Sequence, residues 1–129
     1  MKLTVLMDNH TYINRYYLGE PAACYLIEDG EHHILLDTGY SGATFENADR
    51  MGIDLGQVTD IVLSHGHNDH TGGLPAFFSR FSQPVRLYAH PNALLPKRSG
   101  ERNIGSQLSL AELREKAQLI LTTQPCAVS

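Results

Sequence analysis

The sequence predicts an α/β fold in which helices flank a mixed β-sheet. Three observations indicate it. Apolar and polar residues alternate through most of residues 2–37, a helical spacing of apolar residues begins after residue 40, and beyond residue 60 short apolar segments alternate with amphipathic ones. The 129 residues suffice for one core. We therefore expect residues 1–129 to form a single domain.

The first third of the chain has the alternation of a β-sheet. It predicts strands over Lys2–Met7, Ala22–Glu28 and His33–Asp37. The residues Asp29-Gly30-Glu31 between the last two strands are typical of a tight turn. The second and third strands should therefore form a β-hairpin.

A helix, a strand and a second helix are predicted next. The first helix has its candidate cap, its apolar positions and its stop at Ser41, Phe45, Ala48, Met51 and Gly52. Ile61–Leu63 is a short buried strand that leads directly into a cluster of histidines. Leu74–Phe81 then has the apolar spacing of an amphipathic helix.

The last third continues the alternation of strand and helix. Val85–Ala89 predicts a strand, and Lys97–Ser106 predicts a loop because it is rich in glycine, serine and basic residues. Ser109 and Glu112 form a capping box at the start of a helix that runs to residue 117. Leu119–Leu121 is predicted as a final strand.

Charge and hydropathy exclude several classes of function. Ten Lys and Arg against fourteen Asp and Glu give a net charge of −4, so nucleic acid is not the expected partner. The apolar run Leu3–Met7 is too short for a signal sequence or a membrane helix. The two cysteines, Cys24 and Cys126, show no metal-binding or redox spacing. We expect a soluble cytoplasmic protein with reduced thiols.

The segment from residue 64 to residue 70 carries the strongest chemical signal. His65, His67, Asp69 and His70 place three imidazoles and a carboxylate within six positions. At the end of a strand His65 and His67 should project to the same side and reach one ion, while Asp69 and His70 can hold a second ion. Solvated loop histidines are the alternative, but the density of donors favours metal. Donors without thiolate suit Zn²⁺, with Fe or Mn as alternatives, and indicate a catalytic site.

The pattern His65-x-His67-x-Asp69-His70 resembles the signature of the metallo-β-lactamase superfamily of hydrolases. Upstream, the segment Leu35–Gly39 is similar to the first motif of that superfamily. The resemblance implies an αββα sandwich and makes Asp37 an outer support of the metal loop. The alternative for Asp37 is an ordinary turn carboxylate. With the segments Met7–Asn9 and Tyr88–Pro91, the chain looks most like the branch that includes dihydropterin ribofuranosyl-aminobenzene phosphate synthase-like proteins.

The resemblance also implies a reaction. Members bind two divalent ions, so His65 and His67 would hold the first, and Asp69 and His70 the second. A metal-activated hydroxide, oriented by Asp69, would attack an ester, amide or phosphoester of a small molecule. Two other functions stay open: a catalytically incomplete module for metal binding or interaction, and an oxidoreductase that uses non-haem iron on the same scaffold.

The chain departs from the superfamily pattern downstream. No histidine follows His90, so the later metal ligands are absent and the chain resembles only the N-terminal half of the sandwich. We expect either a fragment of a longer enzyme or a short protein that recruits the other half, with weak activity or none in isolation. The uncovered sheet face, expected to include Leu26, Leu35, Ile61, Leu63 and Leu87, would promote self-association or hold the missing half.

Several further residues are weaker candidates. Lys97, Arg98 and Arg102 share one loop that can hold a phosphate or carboxylate of the substrate, unless the loop is simply mobile and solvated. We leave His90 out of the metal ligands because a histidine before a proline at a strand end is more often a structural residue. His32 and His33 belong to the hairpin, where we expect solvated or packed side chains. His10, at the end of the first strand, can lie at the rim beside the metals. The loop residues Tyr12, Tyr16 and Tyr17 can form an aromatic wall of the substrate pocket or pack over the sheet edge.

Overall fold

The computed structural model describes residues 1–128, which contain eight β-strands and four α-helices. The strands are β1 (Lys2–Met7), β2 (Cys24–Asp29), β3 (His32–Leu36), β4 (Asp60–Val62), β5 (Arg86–Ala89), β6 (Arg98–Ser99), β7 (Arg102–Asn103) and β8 (Gln118–Leu121). The α-helices are α1 (Ala43–Arg50), α2 (Asn68–Thr71), α3 (Leu74–Arg80) and α4 (Leu110–Lys116). Two 3₁₀ turns span Leu55–Gln57 and Pro91–Leu94. Within the described part of the chain no helix is long and apolar enough to cross a membrane.

Six strands form one mixed sheet in the order β1-β2-β3-β4-β5-β8. The first three are antiparallel neighbours, and β3, β4, β5 and β8 run parallel to one another. The predicted α/β class, with a mixed sheet and flanking helices, is confirmed. The parallel strands all end at the same edge, so the loops after β3, β4 and β5 meet there.

The predicted elements begin and end within two residues of the observed ones, with two differences. Helix α1 has Gly42 rather than Ser41 as its N-cap; the Ser41 hydroxyl instead accepts from the Ala43 N–H (3.2 Å). The predicted loop Lys97–Ser106 contains the small hairpin β6-β7, which turns at Gly100 with a positive φ of 61°. The capping box of α4 is present as predicted.

One face of the sheet carries the buried core. Leu26, Leu35, Ile61 and Leu87 are register partners in successive strands, and each is at most 2% exposed. They belong to one apolar cluster with side chains of α1, α3 and α4, namely Phe45, Ala48, Leu74, Phe77 and Leu113. The helices therefore cover this face.

The prediction that these leucines and isoleucines form the uncovered face is wrong. Strand residues point alternately to the two sides, so the opposite face is formed by their neighbours in sequence. One row of register partners on that face is Val5, Tyr25, Leu36, Val62, Tyr88 and Ile120. A second row contains Leu3, Ile27, Ile34, Asp60, Arg86 and Gln118. Most of these side chains are half-buried, and Leu3 and Val5 are exposed.

An ion pair lies within this second face. Asp60 is fully buried and accepts from Arg86 at both oxygens (2.6 Å and 3.0 Å), and from the Thr59 hydroxyl (2.7 Å). Burial alone would raise the pKa of the Asp60 carboxyl. The hydrogen bonds from Arg86 and Thr59 and the nearby positive charges outweigh burial, so this pKa lies below its ordinary value.

Candidate metal centre

The histidine-rich segment from residue 64 to residue 70, called the metal loop below, lies at the edge of the sheet where the parallel strands end. Strand β4 stops at Val62, three residues before His65. His65 and His67 therefore stand in a loop, and strand alternation does not set their directions as we predicted. Helix α2 is a single turn that begins directly after His67 and carries Asp69 and His70 back toward His65.

Three of the four predicted ligands converge. Donor atoms of His65, Asp69 and His70 all lie within 4.8 Å of one another. The rings of His65 and His70 are 4.1 Å apart, and His70 Nε2 lies 3.4 Å from a carboxylate oxygen of Asp69. His67 is outside this cluster, although its ring lies 4.9 Å from the ring of His65. The assignment of His65 and His67 to one ion stays a prediction.

Asp37 follows β3 and supports the cluster through hydrogen bonds to its carboxylate. Its carboxylate is buried and accepts hydrogen bonds from His70 Nδ1 (2.8 Å), from the Ser64 hydroxyl (2.7 Å) and from the Ser64 N–H (2.8 Å). Because Nδ1 of His70 is engaged, Nε2 is the nitrogen available to a ligand. Asp37 therefore supports a candidate metal ligand through hydrogen bonds and is not a free carboxylate in a turn.

Ser64 extends this support to a second histidine. Its hydroxyl has one proton, which it donates to Asp37, and it lies 3.0 Å from Nδ1 of His65. The hydroxyl therefore accepts from His65 Nδ1–H, which leaves Nε2 of His65 with its lone pair. Sequence reasoning missed this role, and its only signal was the position of a serine directly before the first histidine.

The charge state of His65 favours metal binding. Partial burial, followed by the neighbouring imidazoles of His70 and His67, lowers the pKa of His65; the carboxylates of Asp37 and Asp69 oppose the shift without cancelling it. At neutral pH this imidazole is therefore uncharged. A neutral imidazole is the form that binds metal ions.

Main-chain contacts fix the loop in place. Both the N–H and the hydroxyl of Thr38 donate to the carbonyl oxygen of His70, each at 2.9 Å. A Cβ atom on Gly66 would overlap the carbonyl oxygen of Ala93, so only glycine allows the loop to pass the 3₁₀ turn so closely. The loop is thereby held between the end of β3 and the segment after β5.

A cleft of about 370 Å³ adjoins the cluster. The candidate ligands His67 and Asp69 line one part of it, while Ser99 and Arg102 of the small hairpin line another. Tyr40, which we did not single out from the sequence, also lines this cleft. Arg102 is thus brought next to the metal loop.

The other two predicted anion-binding residues lie differently. The ammonium of Lys97 donates to the carbonyl oxygens of residues 92, 93 and 95, so it braces the 3₁₀ turn. Arg98 is exposed and does not line the cleft. The hairpin itself is tied to the metal loop because the Asn68 N–H donates to the carbonyl oxygen of Ile104 (2.8 Å).

The remaining candidates lie outside the cluster. His90 accepts from the Asn92 N–H through its ring (3.0 Å), the structural role that we expected for it. His32 is exposed and His33 is half-buried in the hairpin of β2 and β3. His10, Tyr12 and Tyr17 line a separate cleft of about 340 Å³ beside the end of β1, and Tyr16 is exposed.

Comparison with protein families and curated relatives gives a consistent result. The model of the metallo-beta-lactamase superfamily matches residues 18–119. An uncharacterized protein of Methanocaldococcus jannaschii is 32% identical over 95% of this chain and 48% of its own length. The 7,8-dihydropterin-6-methyl-4-(beta-D-ribofuranosyl)-aminobenzene-5'-phosphate synthase of the same organism is 29% identical over 71% of this chain and 33% of its own length. A probable metallo-hydrolase of Bacillus subtilis is 35% identical over 57% of this chain and 32% of its own length.

Solved structures show the same relationship. A metal-dependent hydrolase of the beta-lactamase superfamily superimposes with a TM-score of 0.73 and 30% identity over 95% of this chain and 42% of its own. The short form of human tRNase Z gives a TM-score of 0.57 and 26% identity over 70% of this chain and 34% of its own. The chain thus spans no more than about half the length of these relatives.

Proposed function

This chain belongs to the metallo-beta-lactamase superfamily, and from that membership we propose that it supplies the metal site of a metal-dependent hydrolase. The observation that carries the proposal is the convergence of His65, Asp69 and His70, with Asp37 hydrogen bonded behind them. The match that covers 95% of this chain and 42% of a solved metal-dependent hydrolase supports the same conclusion, and this coverage is consistent with the N-terminal half that we expected from the motifs.

The donor set fits divalent metal. Two imidazoles and a carboxylate without thiolate are ligands for Zn²⁺, and they also accept Fe or Mn. Hydrogen bonds at Nδ1 leave Nε2 free on both His65 and His70. We propose two ions in the complete enzyme, with His67 joining His65 at the first. The three donors described here are the core of that arrangement.

The chain's own residues have distinct tasks in the proposed reaction. A bound divalent ion would lower the pKa of water toward neutrality and polarise the scissile ester, amide or phosphoester. Asp69, whose carboxylate is partly exposed, orients the attacking water by accepting a hydrogen bond from it. Asp37 keeps His70 in one tautomer, and Ser64 does so for His65.

Metal content tests the proposal directly. We expect the His65→Ala and His70→Ala variants to lose most of the bound divalent metal of the wild type while remaining folded, because both residues lie on a loop and a single helical turn. The matched control is His32→Ala, since this exposed histidine lies outside the cluster. Mass spectrometry of elements on untagged protein measures the stoichiometry. Equal metal in wild type and both variants would overturn the assignment.

A second candidate function is a metal-binding module without turnover. The observation in its favour is that the structure shows a single group of three convergent donors within residues 1–128. Hydrolysis of phosphodiester, thioester and lactam substrates by the metal-loaded chain separates the two. Turnover that disappears in His65→Ala supports the hydrolase. Because we expect weak activity or none in the isolated chain, stoichiometric metal without turnover supports the module only when it persists in the presence of the missing half. Bound iron together with a bound flavin partner would instead favour the oxidoreductase alternative.

We also propose that the protein works in the cytoplasm. Cys24 and Cys126 are both free thiols, which accords with the reducing cytoplasm.

A further inference from the structure

The cleft beside the metal loop has a cationic side that the metal ligands do not require. Arg102 and Ser99 come from the β6-β7 hairpin, and they face the same cleft as His67 and Asp69. A molecule that reaches the ligands through this cleft therefore passes next to a guanidinium group.

Arg102 is the arginine that lines this cleft, and it has no carboxylate partner within residues 1–128. Three of the six other arginines also form no salt bridge there, but they do not line the cleft. Arg50, Arg80 and Arg86 each pair with a carboxylate, respectively Glu46, Asp49 and Asp60. Among the salt bridges of residues 1–128, none involves Arg102, although Glu101 is its neighbour in sequence. Its five N–H donors are available to a ligand.

The hairpin that carries Arg102 is held against the metal loop. Ile104 accepts from the Asn68 N–H (2.8 Å), and its own N–H donates to the carbonyl oxygen of Lys97 (3.0 Å). Lys97 in turn donates to the carbonyl oxygen of Ala93, the group that Gly66 of the metal loop approaches most closely. These contacts hold the base of the hairpin that carries Arg102 beside the metal loop.

We propose that Arg102 is a specificity-determining residue that binds an anionic group of the substrate, a phosphate or a carboxylate, while the scissile group lies at the metal ligands. This inference rests on the proposed function. A planar guanidinium binds either anion with two parallel hydrogen bonds, which fixes the orientation as well as the position of the substrate. The exposed Tyr40 supplies an aromatic surface in the same cleft for the part of the substrate between the two ends.

The test uses three probes of similar size: phenyl phosphate, benzoate and the neutral benzyl alcohol. Binding is followed through the side-chain ¹⁵Nε signals of the arginines, on metal-loaded and on metal-free protein. The variants are Arg102→Gln and, as a matched control with the same change of charge in the same hairpin, Arg98→Gln. Metal content is measured on every sample.

We expect phenyl phosphate or benzoate to shift the Arg102 signal and to bind more tightly than benzyl alcohol. The tighter of the two anions identifies the anionic group. Arg102→Gln should weaken binding of that anion about tenfold, whereas Arg98→Gln should leave it unchanged.

Two results would overturn the inference: equal affinity of wild type for anionic and neutral probes, or equal loss in both variants, which would indicate only a diffuse charge effect. Failure of the proposed function is separate, because it appears as absent metal in the wild type. The Arg102 signal on metal-free protein remains informative in that case.

Discussion

Asp37 joins the end of β3 to two residues of the candidate site, Ser64 and His70. It adopts a left-handed backbone conformation (φ 57°), which is uncommon for residues other than glycine and costs on the order of 1 kcal/mol. Three hydrogen bonds to Ser64 and His70 offset that cost. The left-handed conformation therefore has a local cause: the Asp37 carboxylate accepts a hydrogen bond from His70 directly and reaches His65 through the Ser64 hydroxyl.

We predict that Asp37→Asn weakens metal binding by roughly 10–100-fold without abolishing it, the usual scale for a residue that supports a metal ligand. An amide has one acceptor oxygen, so it cannot accept from the Ser64 N–H at one end and from the Ser64 hydroxyl and His70 Nδ1–H at the other as the carboxylate does, while the ligands themselves remain. Competition with a chelator of known affinity measures the change.

Two further variants locate the effect. Ser64→Ala removes the support of His65 but keeps that of His70, so its loss of affinity should be smaller. Asp29→Asn, at the exposed end of β2, serves as the control and should bind metal like the wild type. Unchanged affinity in Asp37→Asn would make Asp37 an ordinary turn residue.

The pair of Asp60 and Arg86 gives a prediction about pH. We expect Asp60→Asn to lower the free energy of unfolding at pH 7 by about 1–3 kcal/mol, because it removes charged hydrogen bonds at a buried site. The pKa of Asp60 is lowered in the folded state. Its stabilising contribution is therefore complete above the unfolded pKa of about 3.9 and is lost as the pH falls through the lower folded value.

Urea denaturation of wild type and Asp60→Asn between pH 7 and pH 3 measures this. The difference between the two proteins should shrink below about pH 4. A difference that stays constant over the whole range would mean that the charge of Asp60 contributes nothing.

The sequence indicates the residues of the candidate cluster better than it indicates their grouping. Three histidines and an aspartate within six positions are visible without any structure. Their grouping depends on two features that leave little trace in sequence: the end of β4 at Val62, and the single turn of α2. That turn brings Asp69 and His70 toward His65, so the cluster combines residues that we had assigned to different ions.

At the scale of elements, predictability follows the apolar pattern. The strands of the large sheet and helices α1, α3 and α4 each have an apolar side, and their positions were predicted within two residues. The hairpin β6-β7 was predicted as a loop because Arg98, Ser99, Arg102 and Asn103 are polar and exposed. Only Gly100 at its turn signals a reversal of the chain.

The close approach of the metal loop to the 3₁₀ turn after β5 is testable through one glycine. Gly66→Ala should lower the free energy of unfolding by about 1–3 kcal/mol and weaken metal binding, because the new methyl group overlaps the carbonyl oxygen of Ala93. Gly42→Ala is the matched control. There the methyl group meets only Ala76 Cβ at an ordinary distance of 3.4 Å.

Thermal unfolding and chelator competition on both variants provide the measurement. If Gly66→Ala were as stable and bound metal as tightly as Gly42→Ala, the loop would have room to move away from the turn.

At the scale of the whole molecule the sheet has one covered and one open face. The open face combines apolar side chains of β1 to β5 and β8 with the ion pair of Asp60 and Arg86. The resemblance to half of a sandwich predicted that one face would lack a cover, but the residues that we assigned to this face belong to the core. In an alternating strand that assignment depends on where the helices pack.

We predict that the isolated chain associates through this open face, with a second copy or with a partner that supplies the missing half. Light scattering should show a mass that rises with concentration. A double variant, Leu3→Lys with Val5→Lys, should shift the protein toward monomer, because both side chains are exposed on this face.

Ile13→Lys is the control, since Ile13 is exposed in the loop after β1, away from the sheet. A wild-type chain that stays monomeric on concentration, without a partner, would contradict the prediction. Full hydrolytic activity in that monomer would contradict the half-domain interpretation as well.

The link between the small hairpin and the metal loop is a bond between main-chain atoms, from the N–H of Asn68 to the carbonyl of Ile104. Replacing the side chains at residues 98–103 leaves both atoms of that bond in place. Descendants of this chain can therefore exchange the residues that face the cleft, and with them their preferred substrates, while the metal loop keeps its position.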